Sequence, residues 1–175
     1  MNTLSKDITG ALNKQIDREA QSSTNYLAAA AWCNAQGYDH SADFFFKQAE
    51  EEREHMLKIF KYVCDMGGLP KAPAVKQGHT GFDSLRAVFE MALESEMKVT
   101  DSINEIVNIA RKEKDHRTEN FMQWFVQEQV EEEFITRRAV ELFDLMGEDK
   151  LAIFMIDERI PKIEYKSINN GDTSI

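Results

Sequence analysis

The chain has 175 residues, 42% of them hydrophobic and 30% charged, with a formal net charge of −10. That length suits one domain with its own core, and the acidic balance excludes non-specific nucleic-acid binding, which needs a basic face. The longest apolar run, residues 27–33, is too short to span a bilayer and no secretory leader is visible, so a cytoplasmic protein without membrane or nucleic-acid partners is expected.

Helical periodicity runs the length of the chain, and no segment alternates apolar and polar residues as a strand would. The first helix is predicted over about 5–35, closing before Gln36-Gly37, where glycine suits a left-handed C-terminal cap. Its stripe is Ile8, Leu12, Ile16, Glu19, Ser23, Tyr26 and Ala30. The second, about 41–66, presents Phe45, Ala49, Glu52, Met56, Ile59, Val63 and Met66, and stops at Gly67-Gly68. A long link carrying Pro70 and Pro73 leads to the third, about 83–111, with Leu85, Phe89, Ala92, Glu96, Val99, Ile103, Ile106 and Ala110. The fourth, about 115–146, presents Phe121, Phe125, Glu128, Glu132, Ile135, Ala139 and Leu142 and ends at Gly147. A short fifth helix, about 149–158, precedes Pro161 and a polar tail, 167–175, expected to be mobile. Cys33 and Cys64 fall on helices without metal-binding spacing and are expected as small core hydrophobes in a reducing compartment.

Short links join antiparallel neighbours, whereas a link as long as 67–81 can run the full height of a bundle. The expected fold is all-α: a single-domain four-helix bundle made of two antiparallel hairpins with a long crossover, plus a short C-terminal fifth helix.

Each stripe carries a glutamate where a helix should present an apolar side chain. A buried, unpaired carboxylate is costly, so it neutralises, pairs or binds a metal. Glu19 and Glu96 lie half-way along their helices, and Glu52 and Glu132 sit in the acidic clusters 50–52 and 131–133, so the four can meet at one level. No mid-stripe lysine or arginine stands opposite them. Glu52 and His55 form a Glu-x-x-His spacing, which puts a carboxylate and an imidazole on one helix face. Carboxylates with an imidazole suit iron or manganese, and a bridging glutamate can hold two metals about 3.5–4 Å apart.

The blocks that carry these residues resemble the ferritin family. They are Glu19 with Ser22, Ser23 and Tyr26; Gln48-Ala49-Glu50-Glu51-Glu52 with His55; Glu96; and the run from Trp124 through Glu128, Gln129, Glu131 and Glu132 to Glu133. The likeness covers about 4–161 and is strongest to non-haem bacterial-type ferritins. It implies a ferritin-like shell of 24 subunits that oxidises Fe(II) with oxygen or peroxide at an intrasubunit diiron centre. Two irons per subunit are implied, with the ferric product stored as mineral inside. By the same resemblance, Glu19 and His55 match ligands of the first iron and Glu52 the bridge between both. Glu96 and Glu132 match ligands of the second iron, Gln129 a residue ordering water beside it, and Tyr26 an electron donor to oxygen. Glu51, Glu128 and Glu131 match a third iron site, or line an iron exit path.

Two departures narrow the family. Gln129 and Glu132 stand where bacterioferritins and rubrerythrins repeat Glu-x-x-His, and Arg53 stands where bacterioferritins carry a haem-binding methionine, so no haem is expected. Ligands within one bundle and a fifth helix separate the chain from the DNA-protecting mini-ferritins. Glu119 matches acidic residues of shell channels, although Met122 replaces a second acid. Trp124 is read as packing, Glu50, Glu54 and Glu133 as solvated or cavity-facing, and His40, His79 and His116 as structural. The alternative functions are a small-oligomer diiron carboxylate oxidase or oxygenase without a storage cavity, and a purely structural bundle with protonated or paired acids.

Overall fold

The computed structural model describes residues 3–166, and its helices open mostly on side chains that satisfy free backbone N–H groups. Ser5 accepts from the Ile8 N–H at 3.1 Å and opens α1, Lys6–Gln36. Ser84 takes the Ala87 N–H at 3.1 Å and opens α3, Leu85–Glu113. Asp115 and Asp149 cap α4, His116–Met146, and α5, Lys150–Arg159. Each cap stabilises its helix by about 1 kcal/mol. α1 ends as its sequence predicts: Gly37 has φ 81°, and the N–H groups of Gly37 and Tyr38 reach back to the Asn34 and Cys33 carbonyls at 3.1 and 3.0 Å.

α2, Asp39–Asp65, starts two residues before the expected 41 and has no side-chain cap of its own. Its cap comes from α5. The buried Asp157 accepts the Ser41 N–H at 2.8 Å, the Ser41 hydroxyl at 2.6 Å and the His40 N–H at 3.3 Å. Ser41 looks like a start signal, but its hydroxyl donates to another helix instead of accepting from its own. α5 then runs into a single 3₁₀ turn, Ile160–Lys162.

Two-residue links fold α1 on α2 and α3 on α4, and α1 also packs on α3, giving the expected all-α four-helix bundle with its short fifth helix. The crossover from α2 to α3 lies tight against α1. A Cβ on Gly78 would stand 2.7 Å from the Thr24 carbonyl oxygen and 2.8 Å from Ala28 Cβ. Gln21 clamps the same strap, accepting the Lys76 N–H at 2.8 Å and donating to the Lys76 carbonyl at 3.1 Å. α2 and α4 approach least closely of the neighbouring pairs, which leaves a seam between them. Among the described residues no helix is long and apolar enough to cross a membrane.

The core is in two parts. One gathers Tyr26, Phe45, Phe89 and Phe143 with Ile156 and Ile160. The other gathers Ile8, Leu12, Ile16, Ile59, Val63, Ile103 and Phe125. The α3 stripe is buried at all the positions read from the sequence. On α1, Ser22 is buried and Ser23 is half-buried, its hydroxyl donating to the Ala49 carbonyl at 2.7 Å. On α2, Met56 and Met66 are half-buried, and His55 faces inward instead.

The α4 stripe needs correction. Its buried face is Met122, Phe125, Gln129, Glu132, Thr136, Ala139 and Phe143, so Phe121, Glu128, Ile135 and Leu142 lie to one side of it. Two adjacent stripes of this helix are both rich in apolar residues, and the inward one is that which brings Gln129 to α3. Cys33 is buried as expected, and burial followed by the charge of Asp157 pushes its thiol up to about 12. Cys64 is exposed, against expectation, because its position in α2 lies beside the buried Val63 on the outer face. The tail expected at 167–175 lies outside the described residues.

Candidate metal centre

Between the two apolar clusters lies a polar layer. α1 contributes Glu19, α2 Glu52 and His55, α3 Glu96, and α4 Gln129 and Glu132, all of them buried. Each glutamate sits where its helix passes from one cluster to the other, so helical register brings four carboxylates to one level. Glu19, Glu52 and His55 each offer a ligand atom, and these atoms lie within 4.8 Å of one another. Glu52 Oε2 is 3.7 Å from His55 Nδ1, a charged contact only when the imidazole holds a proton.

Three oxygens in this layer, Glu19 Oε2, Glu52 Oε2 and Glu132 Oε2, are buried without a hydrogen-bond partner. Native interiors rarely leave such atoms unsatisfied. Burial among like charges favours the protonated form of three of the layer's carboxyls. Burial, then the charges of Glu19 and Glu96, push the Glu52 carboxyl well above the usual range. Burial, then Glu96, push Glu132 up to about 9. Glu96 rises to about 7 through burial, against hydrogen bonds from Tyr26 and Gln129 that pull it down.

Glu96 is held from two sides. The Tyr26 hydroxyl donates to Oε1, and the Gln129 amide donates to Oε2 at 3.1 Å and to the Glu96 carbonyl at 3.2 Å. Burial, then the charges of Glu96 and Glu52, push the Tyr26 phenol well above its ordinary value. The structure therefore gathers Glu19, Glu52 and His55 into one tight group, while Glu96 and Glu132 stand beside it.

Glu51, Glu128 and Glu131 are half-buried in the α2–α4 seam. With Glu132 they line a groove of about 310 Å³ that Ile160, Pro161 and Ile163 border. Glu51 accepts from the Gln48 amide at 2.6 Å and pairs with Lys47 at 3.3 Å. Burial raises the Glu128 carboxyl, opposed by nearby His55 and reinforced by Glu131. The groove joins the surface to Glu132.

Three residues near the layer have roles that the sequence alone does not show. Gln15 is buried one turn before Glu19 and donates to it at 2.8 Å. Thr100, one turn after Glu96, donates to Glu133 at 2.5 Å and accepts from Gln129 at 3.3 Å, so Glu133 is an anchor in this network and not merely solvated. Trp124 packs as expected, but on His55: its ring meets the imidazole edge-on, centroids 5.3 Å apart, with Lys58 Nζ 3.3 Å from the centre of its ring. A polar residue one helical turn from a mid-stripe glutamate is the sequence signal that marks the first two.

The other histidines do not join the site. His40 bonds Glu158 and His116 bonds Glu119, each at 3.2 Å, while His79 lies edge-on to Phe82. Glu119 also accepts from Arg111 at 2.7 Å, and that bond holds its carboxyl below the usual range.

Residues 9–146, which contain every carboxylate of the layer, match the family model of the ferritin-like domain. The chain belongs to the ferritin family. This ferritin chain is 36% identical over 164 residues to a protein of Haemophilus influenzae described as a probable bacterial non-heme ferritin-like protein, covering 94% of this chain and 99% of that one. It is 35% identical to the bacterial non-heme ferritin of Staphylococcus aureus, covering 90% and 95%. Among solved structures, an open-pore ferritin from the hyperthermophilic archaeon Archaeoglobus fulgidus matches with TM-score 0.88 at 38% identity, over 94% of this ferritin and 100% of that chain.

Proposed function

We propose that this member of the ferritin family oxidises Fe(II) with oxygen or peroxide at the carboxylate layer and stores the ferric product inside a shell built of 24 copies of itself. The observation that carries the reading is the set of orphaned, buried carboxylate oxygens on Glu19, Glu52 and Glu132. Oxygen donors with one imidazole are a donor set that iron accepts.

Iron is substrate and cargo here. Glu19 and His55 hold the first Fe(II), Glu52 touches both ions, and Glu96 and Glu132 hold the second. Gln129 keeps Glu96 oriented and orders water near it. Two Fe(II) held side by side give one electron each. Oxygen then takes two electrons and two protons to become hydrogen peroxide, and peroxide takes the same to become two waters. Cations entering the layer displace the protons that Glu52 and Glu132 hold, which supplies protons beside the reaction. Tyr26, bonded to Glu96, is placed to give a further electron. Glu51, Glu128 and Glu131 form a third iron position along the groove by which product leaves.

The test is aerobic addition of Fe(II) to the apoprotein while ferric absorbance is followed. A fast phase that saturates near two irons per subunit is expected. Glu52→Ala and His55→Ala should each slow that phase at least ~10-fold, the usual scale for a lost ligand or its support. Wild-type rates in either variant would remove the assignment.

A further inference from the structure

Gln15 is the least expected polar side chain of the bundle. It lies on the inner face of α1 beside Leu12 and Ile16, with no exposed surface. A leucine there would extend the apolar cluster without burying an amide. Among the described residues the amide makes one hydrogen bond, from Nε2 to Glu19 Oε1 at 2.8 Å, and its own oxygen is buried without a partner. Its bond to Glu19 is what the buried amide provides.

That bond divides the two oxygens of Glu19. Oε1 is occupied by the amide, and Oε2 is left free in the layer where Glu52 and His55 stand within reach. A glutamate side chain turns about three torsions, and one anchored oxygen fixes where the other points. Glu96 differs, since Tyr26 and Gln129 engage both of its oxygens. Glutamine suits the position where other residues would not. Leucine offers no donor, asparagine is one methylene shorter, and lysine would neutralise the carboxylate.

We infer that Gln15 is a positioning residue that anchors Glu19 and so preforms the Glu19–Glu52–His55 group as the tighter of two divalent-cation positions. The inference rests on the reading of Glu19 as a metal ligand, and the experiment separates the two. Cobalt(II) serves as a probe that oxygen does not consume, titrated into the full-length apoprotein and followed by ligand-field absorption. Gln15→Leu should weaken the tighter Co(II) position ~10-fold, the usual cost of removing a ligand's support. Its absorption band should change, while the weaker position and the apoprotein melting temperature are not lowered. Gln15→Met provides the same comparison if the leucine variant does not fold. In a Glu19→Ala background, Gln15→Leu should bring no further loss, because residues acting through one another are not additive. Wild-type Co(II) affinity in both Gln15 variants would overturn the inference, and so would an equal loss in the Glu19→Ala background. If Glu19→Ala alone binds Co(II) like the wild type, Glu19 is no ligand and the inference falls with that reading.

Discussion

At the scale of single residues, the carboxylate layer makes the metal-free protein sensitive to pH in an unusual direction. Glu52 is held well above the ordinary glutamate value of 4.5, Glu96 at about 7 and Glu132 at about 9. A carboxyl whose value is raised on folding binds its proton more tightly in the native state than in the unfolded chain. Its contribution to stability is fully present below about 4.5 and is lost as pH rises, through about 7 for Glu96 and about 9 for Glu132. The apoprotein should therefore melt at progressively lower temperature between pH 5 and pH 9. Surface carboxylates paired with cations, such as Glu94 with Lys98, act in the opposite sense at the acid end, below the ordinary glutamate range. Glu132→Gln isolates the layer, because it removes one titrating group while keeping the side chain's shape, and should flatten the decline. Zinc(II) should reverse the trend, since a cation competes with those protons and binds more tightly as they leave. Calorimetry of wild type and Glu132→Gln, with and without zinc, tests this. An apoprotein melting temperature that rises from pH 5 to pH 9, equally in both proteins, would refute it.

At the scale of elements, legibility in the sequence depends on whether local chemistry alone decides. The α3 stripe reads correctly because its apolar residues form one narrow face, with charged residues on either side. Glu19, Glu52, Glu96 and Glu132 are visible because a glutamate inside a stripe contradicts local packing. α4 reads one residue off at four positions because Phe121, Ile135 and Leu142 form a second plausible stripe beside Met122, Thr136 and Phe143. The reach of Gln129 to Glu96 on another helix belongs to the inward register. The start of α2 is hidden for the same reason, its cap being Asp157, more than a hundred residues away in sequence. Gln15 is easily passed over although it stands one turn before Glu19, because a glutamine beside a core position looks like an ordinary flanking polar residue. The Asp157 contact makes a prediction of its own. Asp157→Ala leaves the Ser41 N–H and hydroxyl buried without an acceptor and removes a negative charge from the N-terminus of α2. A destabilisation of about 2–3 kcal/mol is expected, from the unsatisfied donors and the lost helix-end interaction. Thermal melts and hydrogen exchange of the α2 N-terminal amides would check it. Unchanged protection at Ser41 would show that α5 does not cap α2 in solution.

At the scale of the whole molecule, several large apolar side chains stay exposed, three of them at or on the last helix. Leu145, Leu151 and Phe154, at the end of α4 and on α5, are 82%, 67% and 63% exposed, and Leu69 in the crossover is 87% exposed. Single exposed apolar residues are ordinary, but several together around one short helix are the mark of a surface that is covered by another chain. α5 is fixed to the bundle through its buried side, Ile156 and Asp157, and its opposite side, with Leu151 and Phe154, is exposed. The storage reading requires another copy of the chain there, because a mineral needs an enclosed volume that a bundle with a filled core does not contain. The apoprotein should therefore sit at about half a megadalton by light scattering, twenty-four times 20.1 kDa. Leu151→Asp with Phe154→Asp should shift it to small species, since a charge buried in an interface without a partner costs several kcal/mol per copy. In those species the fast oxidation phase should persist, because the site residues all come from one chain, while the capacity to hold hundreds of ferric ions in solution should vanish. A wild-type protein that runs as a monomer or dimer at micromolar concentration would remove the shell and leave the small-oligomer diiron oxidase as the function that fits the same carboxylates.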